Sequence, residues 1–390
     1  MRCESWIESE LCELRTRHLK RELRTVPDAG GRIVQDECAL LNFSSNDYLD
    51  FANRPSVRDA AAAALAAHGC GAGSSRLVTG TLPIHEQLER VIARHKGYPD
   101  ALVFGSGFLA NVGVIPALVG RDDTVFADKL VHASILDGVA LSRARLVRFR
   151  HNDPSHLAQR LKNADSAGRR LVVIESVYSM DGDLAPLPEL AALAEAHGAM
   201  LMVDEAHSTG VFGACGAGLV HQHGLQECVN ISMGTLSKAL GNYGGFIACS
   251  AAMKSWLVNR ARAFIYTTAP PPAVMGGCLG AFEALEHEPD LGRTLLDRAE
   301  RFRSQLHELG FDTGASESQI IPIMVGDSER ALALSRRLRE AGILAIAIRP
   351  PTVPEGTARL RLSVTLAHTA EDLDRTAQTL AEAARQEGVL

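Results

Sequence analysis

The sequence predicts an α/β fold: a large domain with a mostly parallel sheet, followed by a smaller C-terminal α+β domain. Three observations predict it. Short, nearly unbroken apolar runs alternate with helical stretches, as in strands that crossover helices cover on both faces. The helical stretches open on proline or a capping residue and close on glycine. The alternation then breaks at the turn-rich Tyr266-Thr267-Thr268-Ala269-Pro270-Pro271-Pro272-Ala273, beyond which a helical region and a shorter α+β segment run to residue 390.

Each element follows in order. Ser56–His68 is alanine-rich, starts at a good cap and stops at Gly69. Pro83–Lys96 has proline in its first turn and Gly97 past its end, and Pro188–His197 repeats the pattern before Gly198. Asp297–Leu309, Ser328–Ala341 and Glu371–Gln386 are amphipathic at helical spacing. The apolar runs Ala101–Phe104, Leu171–Ile174, Met200–Val203, Gly245–Cys249, Ile320–Val325 and Ile343–Ile348 predict buried strands. Three regions follow: an N-terminal helical arm over 1–40, a large α/β domain over 41–280, and a small α+β domain over 281–390.

A chain of 390 residues has room for two cores, since single cores stop growing at about 250–300 residues. The net charge of −6 argues against nucleic acid or a membrane surface as the main partner. No apolar run is long enough for a membrane span, and residues 1–24 carry mixed charges without an apolar core, so a cytoplasmic location is expected. Eight scattered cysteines form no Cys-x-x-Cys pair, so reduced thiols are expected and no metal site is.

Four features that carry chemistry lie at the ends of apolar runs, where α/β folds bind ligands. Leu102-Val103-Phe104-Gly105-Ser106-Gly107-Phe108-Leu109-Ala110-Asn111 runs from a strand through small residues into a helix. Bare N–H groups at such a helix start suit a phosphate; a plain tight turn or a dinucleotide-binding turn also fits. His132, before Ala133-Ser134, offers a flat ring for stacking on a planar cofactor, or is a satisfied core histidine. Asp204 ends Met200-Leu201-Met202-Val203 and opens Asp204-Glu205-Ala206-His207. A buried acid there needs a partner, and a protonated pyridine nitrogen is one; a structural helix cap is the alternative. The same four letters occur in helicases, but no phosphate-binding Gly-x-x-x-x-Gly-Lys-Ser/Thr loop exists here.

Lys238 lies in Ser232-Met233-Gly234-Thr235-Leu236-Ser237-Lys238-Ala239-Leu240-Gly241. A lysine among small and apolar residues is either structural or a desolvated amine suited to forming a Schiff base with an aldehyde. Thr235 and Ser237 offer hydroxyls to a phosphate. Together the four features predict pyridoxal 5′-phosphate (PLP) held on Lys238. A nicotinamide-dependent oxidoreductase using Gly105–Ala110 leaves Lys238 and His132 without a task. A non-enzymatic protein built on a PLP fold would hold the cofactor without turnover.

Over nearly its whole length the chain resembles the α-oxoamine synthases, fold-type I PLP-dependent transferases of the aspartate-aminotransferase-like fold. The resemblance rests on Asn42-Phe43-Ser44-Ser45-Asn46-Asp47-Tyr48-Leu49, Gly73-Ser74-Ser75-Arg76-Leu77-Val78-Thr79-Gly80, Val177-Tyr178-Ser179-Met180-Asp181-Gly182-Asp183 and the segments above. More discriminating are His151-Asn152-Asp153, Ala347-Ile348-Arg349-Pro350-Pro351-Thr352-Val353-Pro354 and Ala358-Arg359-Leu360-Arg361-Leu362-Ser363. These resemble the branch that condenses L-alanine with a pimeloyl thioester, on coenzyme A or acyl carrier protein, in biotin biosynthesis. A glycine C-acetyltransferase-like enzyme is the neighbouring alternative. Asp50 stands where the family usually has glycine, and Asn242-Tyr243 replaces smaller residues.

The resemblance implies that Lys238 holds the cofactor covalently, Asp204 pairs with its ring nitrogen, and His207 and Ser179 hold ring substituents. It implies that His132 stacks over the ring and contacts substrate, and that Gly107, Phe108 and Thr235 meet the phosphate. Thr267 or Thr268 is expected to reach the partner's phosphate in a homodimer. Asn46 and Arg361 are expected at the amino-acid carboxylate. Arg24, Arg349 and Thr352 are expected at the acyl substrate, with Arg21 close to Arg24.

Overall fold

Proline and glycine punctuate the helices of the computed structural model much as the sequence suggests. It describes residues 4–16, 19–23, 25–26, 30–35, 38–164 and 168–390. Two compact units emerge, one of residues 1–45 with 298–390 and one of 46–297. This division differs from arm, large domain and small domain split near 40 and 280. The N-terminal strand β1 (Arg32–Gln35) pairs antiparallel with β2 (Cys38–Asn42), and β2 pairs in parallel with a strand from the C-terminal region. Backbone pairing thus ties the first segment to the last. At the other boundary, the helix Pro272–His287 packs on the helix Pro55–His68, which keeps it in the unit of 46–297.

That unit is built on a seven-stranded sheet: β3 (Asp100–Phe104), β4 (Thr124–Asp128), β5 (Arg145–Phe149), β6 (Arg170–Glu175), β7 (Met200–Asp204), β8 (Ile231–Thr235) and β9 (Gly245–Cys249). Their order across the sheet is β3-β9-β8-β7-β6-β4-β5. Only β9 runs against its neighbours, pairing antiparallel with both β3 and β8. Buried Val, Ile, Leu and Ala fill the central strands, because helices cover a parallel sheet on both faces. The helix Pro83–Lys96 ends at Gly97, whose left-handed φ of 72° closes the last turn.

In the other unit β10 (Ile320–Gly326) pairs antiparallel with β13 (Ala358–Ser363). The single strand expected at Ile343–Ile348 is two. β11 (Ile343–Leu344) joins β2, while β12 (Ile346–Ile348) joins β13. Ala345 between them is buried, and its carbonyl accepts a hydrogen bond from Ser335 Oγ. The helices Ser328–Glu340 and Ala370–Gln386 bury Leu334, Leu338 and Leu380 in this unit's core. The helix expected at Asp297–Leu309 starts earlier, at Leu291. Among the described residues no helix is long and apolar enough to cross a membrane, and seven cysteines are free.

Candidate active site

Parallel strands end on one edge of the seven-stranded sheet, and the chemistry-bearing residues lie there. β3 runs into the turn Gly105-Ser106 and the helix Gly107–Leu118, whose cap Ser106 Oγ accepts the Leu109 N–H at 3.1 Å. The first-turn N–H groups of Gly107 and Phe108 have no acceptor within the helix. Gly245 at the start of β9 lets this turn approach, since a Cβ there would lie 2.5 Å from Gly107 N.

β8 ends at Thr235, and the loop to β9 carries Lys238. Leu236 N–H donates to Gly244 O, while the hydroxyls of Thr235 and Ser237 donate to the same carbonyl at 2.9 and 3.1 Å. The Asn242 departure belongs to this loop's fastening: its amide donates to Leu240 O, and its Oδ1 occupies the space that a Cβ at Gly277 would need. Asp50, the other departure, has φ 58°, a left-handed conformation that favours glycine and that aspartate tolerates better than most residues.

A cavity of about 150 Å³ opens between these ends, lined by Gly107, Phe108, His132, Asp204, His207, Thr235 and Lys238, all of them expected from the sequence. Asp204 closes β7 and is nearly buried; its Oδ1 accepts the Ala206 N–H and its Oδ2 the Asn111 side-chain amide at 3.0 Å. Asn111 also donates to Ser134 Oγ, and Ser134 bonds His132 Nδ1 at 2.8 Å. His132 caps the helix Ala133–Ser142 and keeps its ring open to solvent.

Lys238 Nζ lies 2.8 Å from His207 Nε2, and His207 Nδ1 lies 2.7 Å from Tyr48 Oη. Tyr48 donates onward to Asn46 Oδ1 at 3.2 Å. With its proton directed at Asn46, Tyr48 accepts from His207 Nδ1, which leaves Nε2 as an acceptor facing the lysine amine. Asn46 is therefore linked to Lys238 through two side chains.

Other expected residues lie elsewhere. Ser179 sits half-buried on the turn after β6 and does not line the cavity. That turn is held by His151, whose ring bonds Asp128 at 2.9 Å and Asp183 at 2.7 Å. Burial alone would lower the His151 pKa, but the hydrogen bonds and charges of the two aspartates outweigh it and raise the pKa to about 10. Thr267 and Thr268 lie on a segment bridged to Ser75, outside the cavity lining.

Within the unit of 1–45 and 298–390, Arg349 and Thr352 line a groove of about 1000 Å³ together with Arg21. Arg21 donates to Thr352 Oγ1 at 3.4 Å; Arg24 lies outside the described residues. Burial first and the Arg21 charge second lower the Arg349 pKa. Arg361 is nearly buried on β13 and donates to Ser363 Oγ.

Three polar cavity residues, Asn111, Ser134 and Glu175, escaped the sequence-based assignment of roles, as did Tyr48, which bonds His207 from outside the cavity lining. Glu175 had a usable signal, being an acid directly after the apolar Leu171–Ile174 run, as Asp204 is after its own.

The family model described as aminotransferase class I and II matches residues 39–380. The chain belongs to that family. An 8-amino-7-oxononanoate synthase of Geobacter sulfurreducens (strain ATCC 51573 / DSM 12127 / PCA) is 47% identical over 98% of this chain and 99% of its own. One from Anaeromyxobacter dehalogenans (strain 2CP-1 / ATCC BAA-258) is 49% identical over 95% and 93%. Among solved structures, the Sphingomonas wittichii serine palmitoyltransferase matches with TM-score 0.93 at 32% identity, covering all of both chains. A structure of SPT with its PLP internal aldimine matches equally well at 31% identity, covering 99% and 98%.

This aminotransferase-family chain is a PLP-dependent acyltransferase of fold-type I, as its resemblance to the α-oxoamine synthases implied. The cavity fits the cofactor. It supplies an amine for an aldehyde, a hydrogen-bonded carboxylate for a ring nitrogen, and a helix start with a neighbouring hydroxyl for a phosphate. The nicotinamide alternative for Gly105–Ala110 is set aside with that assignment.

Proposed function

We propose that this enzyme condenses L-alanine with a pimeloyl thioester, on coenzyme A or acyl carrier protein, to give 8-amino-7-oxononanoate in biotin biosynthesis. A bond forms between the alanine α-carbon and the thioester carbonyl, the carbon–sulfur bond breaks, and the alanine carboxylate leaves as CO2 with release of the thiol. One observation carries this choice of substrates. The curated relatives named 8-amino-7-oxononanoate synthase share 44–49% identity over 92–98% of this chain, against 31–32% for the solved serine palmitoyltransferases and 28% for a solved 8-amino-7-oxononanoate synthase of Francisella tularensis.

PLP, when bound, supplies a conjugated sink for negative charge at the amino-acid α-carbon. Lys238 would hold it covalently, and its amine, when free, would take the α-proton of the amino acid. Asp204 keeps the ring nitrogen protonated. His207 and Ser179 hold ring substituents, and His132 covers the ring face. Gly107, Phe108 and Thr235 receive the phosphate, and Thr267 and Thr268 serve the partner's phosphate in a homodimer. Asn46 and Arg361 receive the amino-acid carboxylate, the guanidinium because its fork matches two oxygens. Arg349, Thr352 and either Arg21 or Arg24 bind the acyl substrate; the Arg21–Thr352 hydrogen bond favours Arg21.

The test is to incubate PLP-loaded protein with pimeloyl-CoA and, separately, alanine, glycine or serine, following free thiol and product mass. Alanine is expected to turn over fastest, with one CO2 per thiol. Faster thiol release from serine and palmitoyl-CoA, or from glycine and acetyl-CoA, would overturn the proposal.

A further inference from the structure

Glu175 has no role in the reaction so far, yet it lines the cofactor cavity. It is the last residue of β6, in register with Asp204 at the end of β7, and only 2% of it is exposed. One side-chain oxygen accepts the His132 backbone N–H, at the residue that caps the helix Ala133–Ser142. The groups facing it are Asp204 on β7, Lys238 on the β8–β9 loop, Asp128 at the end of β4, and the His132 turn itself.

Two carboxyl groups at adjacent strand ends cannot both ionise cheaply in a small cavity. The two carboxyl groups differ in their hydrogen bonds. Asp204 receives a donor on each oxygen, from Ala206 N–H and from the Asn111 amide. Burial first, and the Asp204 charge second, push the Glu175 carboxyl well above its usual range.

We propose that Glu175 is a positioning residue of the cofactor site, anchoring the turn that carries His132 and leaving the charge-pairing role to Asp204. Burial and the neighbouring Asp204 carboxyl favour its protonated form, which would leave the cavity one negative charge toward the cofactor ring instead of two. The side chain acts through the His132 backbone. This rests on the assignment of His132 to the cofactor ring face.

The experiment re-titrates PLP into apoprotein of Glu175→Gln, Glu175→Leu and His132→Ala, reading affinity and the pH midpoint of the bound cofactor's visible band. Glutamine keeps an acceptor oxygen and cannot ionise. It is expected to hold PLP within about threefold of wild type and to leave the midpoint within about 0.3 pH unit. Leucine lacks the acceptor and is expected to weaken PLP about tenfold or more. A Glu175→Gln midpoint displaced by about one unit would mean that the native side chain is ionised, which overturns the proposal. Unchanged PLP affinity in Glu175→Leu overturns the anchor. Unchanged affinity in His132→Ala overturns the stacking role of that ring instead, so the two failures are read apart.

Discussion

Replacing Lys96 by methionine removes an ammonium group that the fold has taken wholly out of water. Lys96 Nζ lies 2.5 Å from Glu205 Oε2 and 2.6 Å from Ala217 O, and both side chains of the ion pair are 0% exposed. Glu205 also accepts from Ser232 Oγ, Ser208 Oγ and Val220 N–H. Burial alone would raise its pKa, but the Lys96 charge and these donors hold it below the usual value. Methionine leaves that carboxylate buried opposite a thioether, and breaking a buried pair from one side costs about 3–5 kcal/mol.

The assay is equilibrium denaturant unfolding of the holoprotein at fixed PLP concentration, since bound cofactor itself adds stability. Lys96→Met is expected to lose about 3–5 kcal/mol and Glu205→Gln a comparable amount. The double variant should recover at least about 1.5 kcal/mol of the summed losses, because neither charge is then left alone. Glu205 also follows Asp204 directly, so the single variants should weaken PLP binding while leaving Lys238 reactive. A Lys96→Met protein within about 1 kcal/mol of wild type, or a double variant equal to the sum of the singles, would refute this account of the pair.

Lys238→Ala, reduced with borohydride and digested, should show no pyridoxyl mass on the peptide that spans position 238. Tyr48→Phe removes the partner of His207 Nδ1, a loss of about 1–1.5 kcal/mol that should lower kcat about tenfold with little change in PLP affinity. Gly245→Ala would place a Cβ 2.5 Å from Gly107 N, so PLP affinity should fall about tenfold through displacement of the phosphate turn. His151 titrates near 10 in the folded protein against 6.5 as a free side chain. The native state therefore holds more protons between those values, and the stability contributed is complete below pH 6.5 and lost as pH rises toward 10. His151→Gln should lack this slope in unfolding free energy, and equal slopes for both proteins would contradict the assignment.

Local chemistry made much of the site legible before any coordinates. Asp204 and Lys238 stood out because a charged residue against an apolar run requires a partner wherever the chain goes. Pro83 and Gly97 marked a helix whose limits match those observed, since both residues act on their own backbone. The Ile343–Ile348 run looked continuous because apolarity alone does not say which strand each half will meet. The backbone bends at Ala345 to satisfy two different sheets.

Order along the chain, therefore, was enough to establish the α/β class, the cofactor and the residues with unusual charge or conformation, because each of these rests on properties of one residue and its near neighbours. Relations between distant segments arose only on folding. Tyr48 meets His207 across 159 positions, Lys96 meets Glu205 across 109, and Glu175 lies beside Asp204 through strand register alone. No local pattern encodes such contacts, since sheet order and register are set by how the whole sheet buries its faces. That is why the partners that fix tautomer, charge and ring position became visible only in three dimensions.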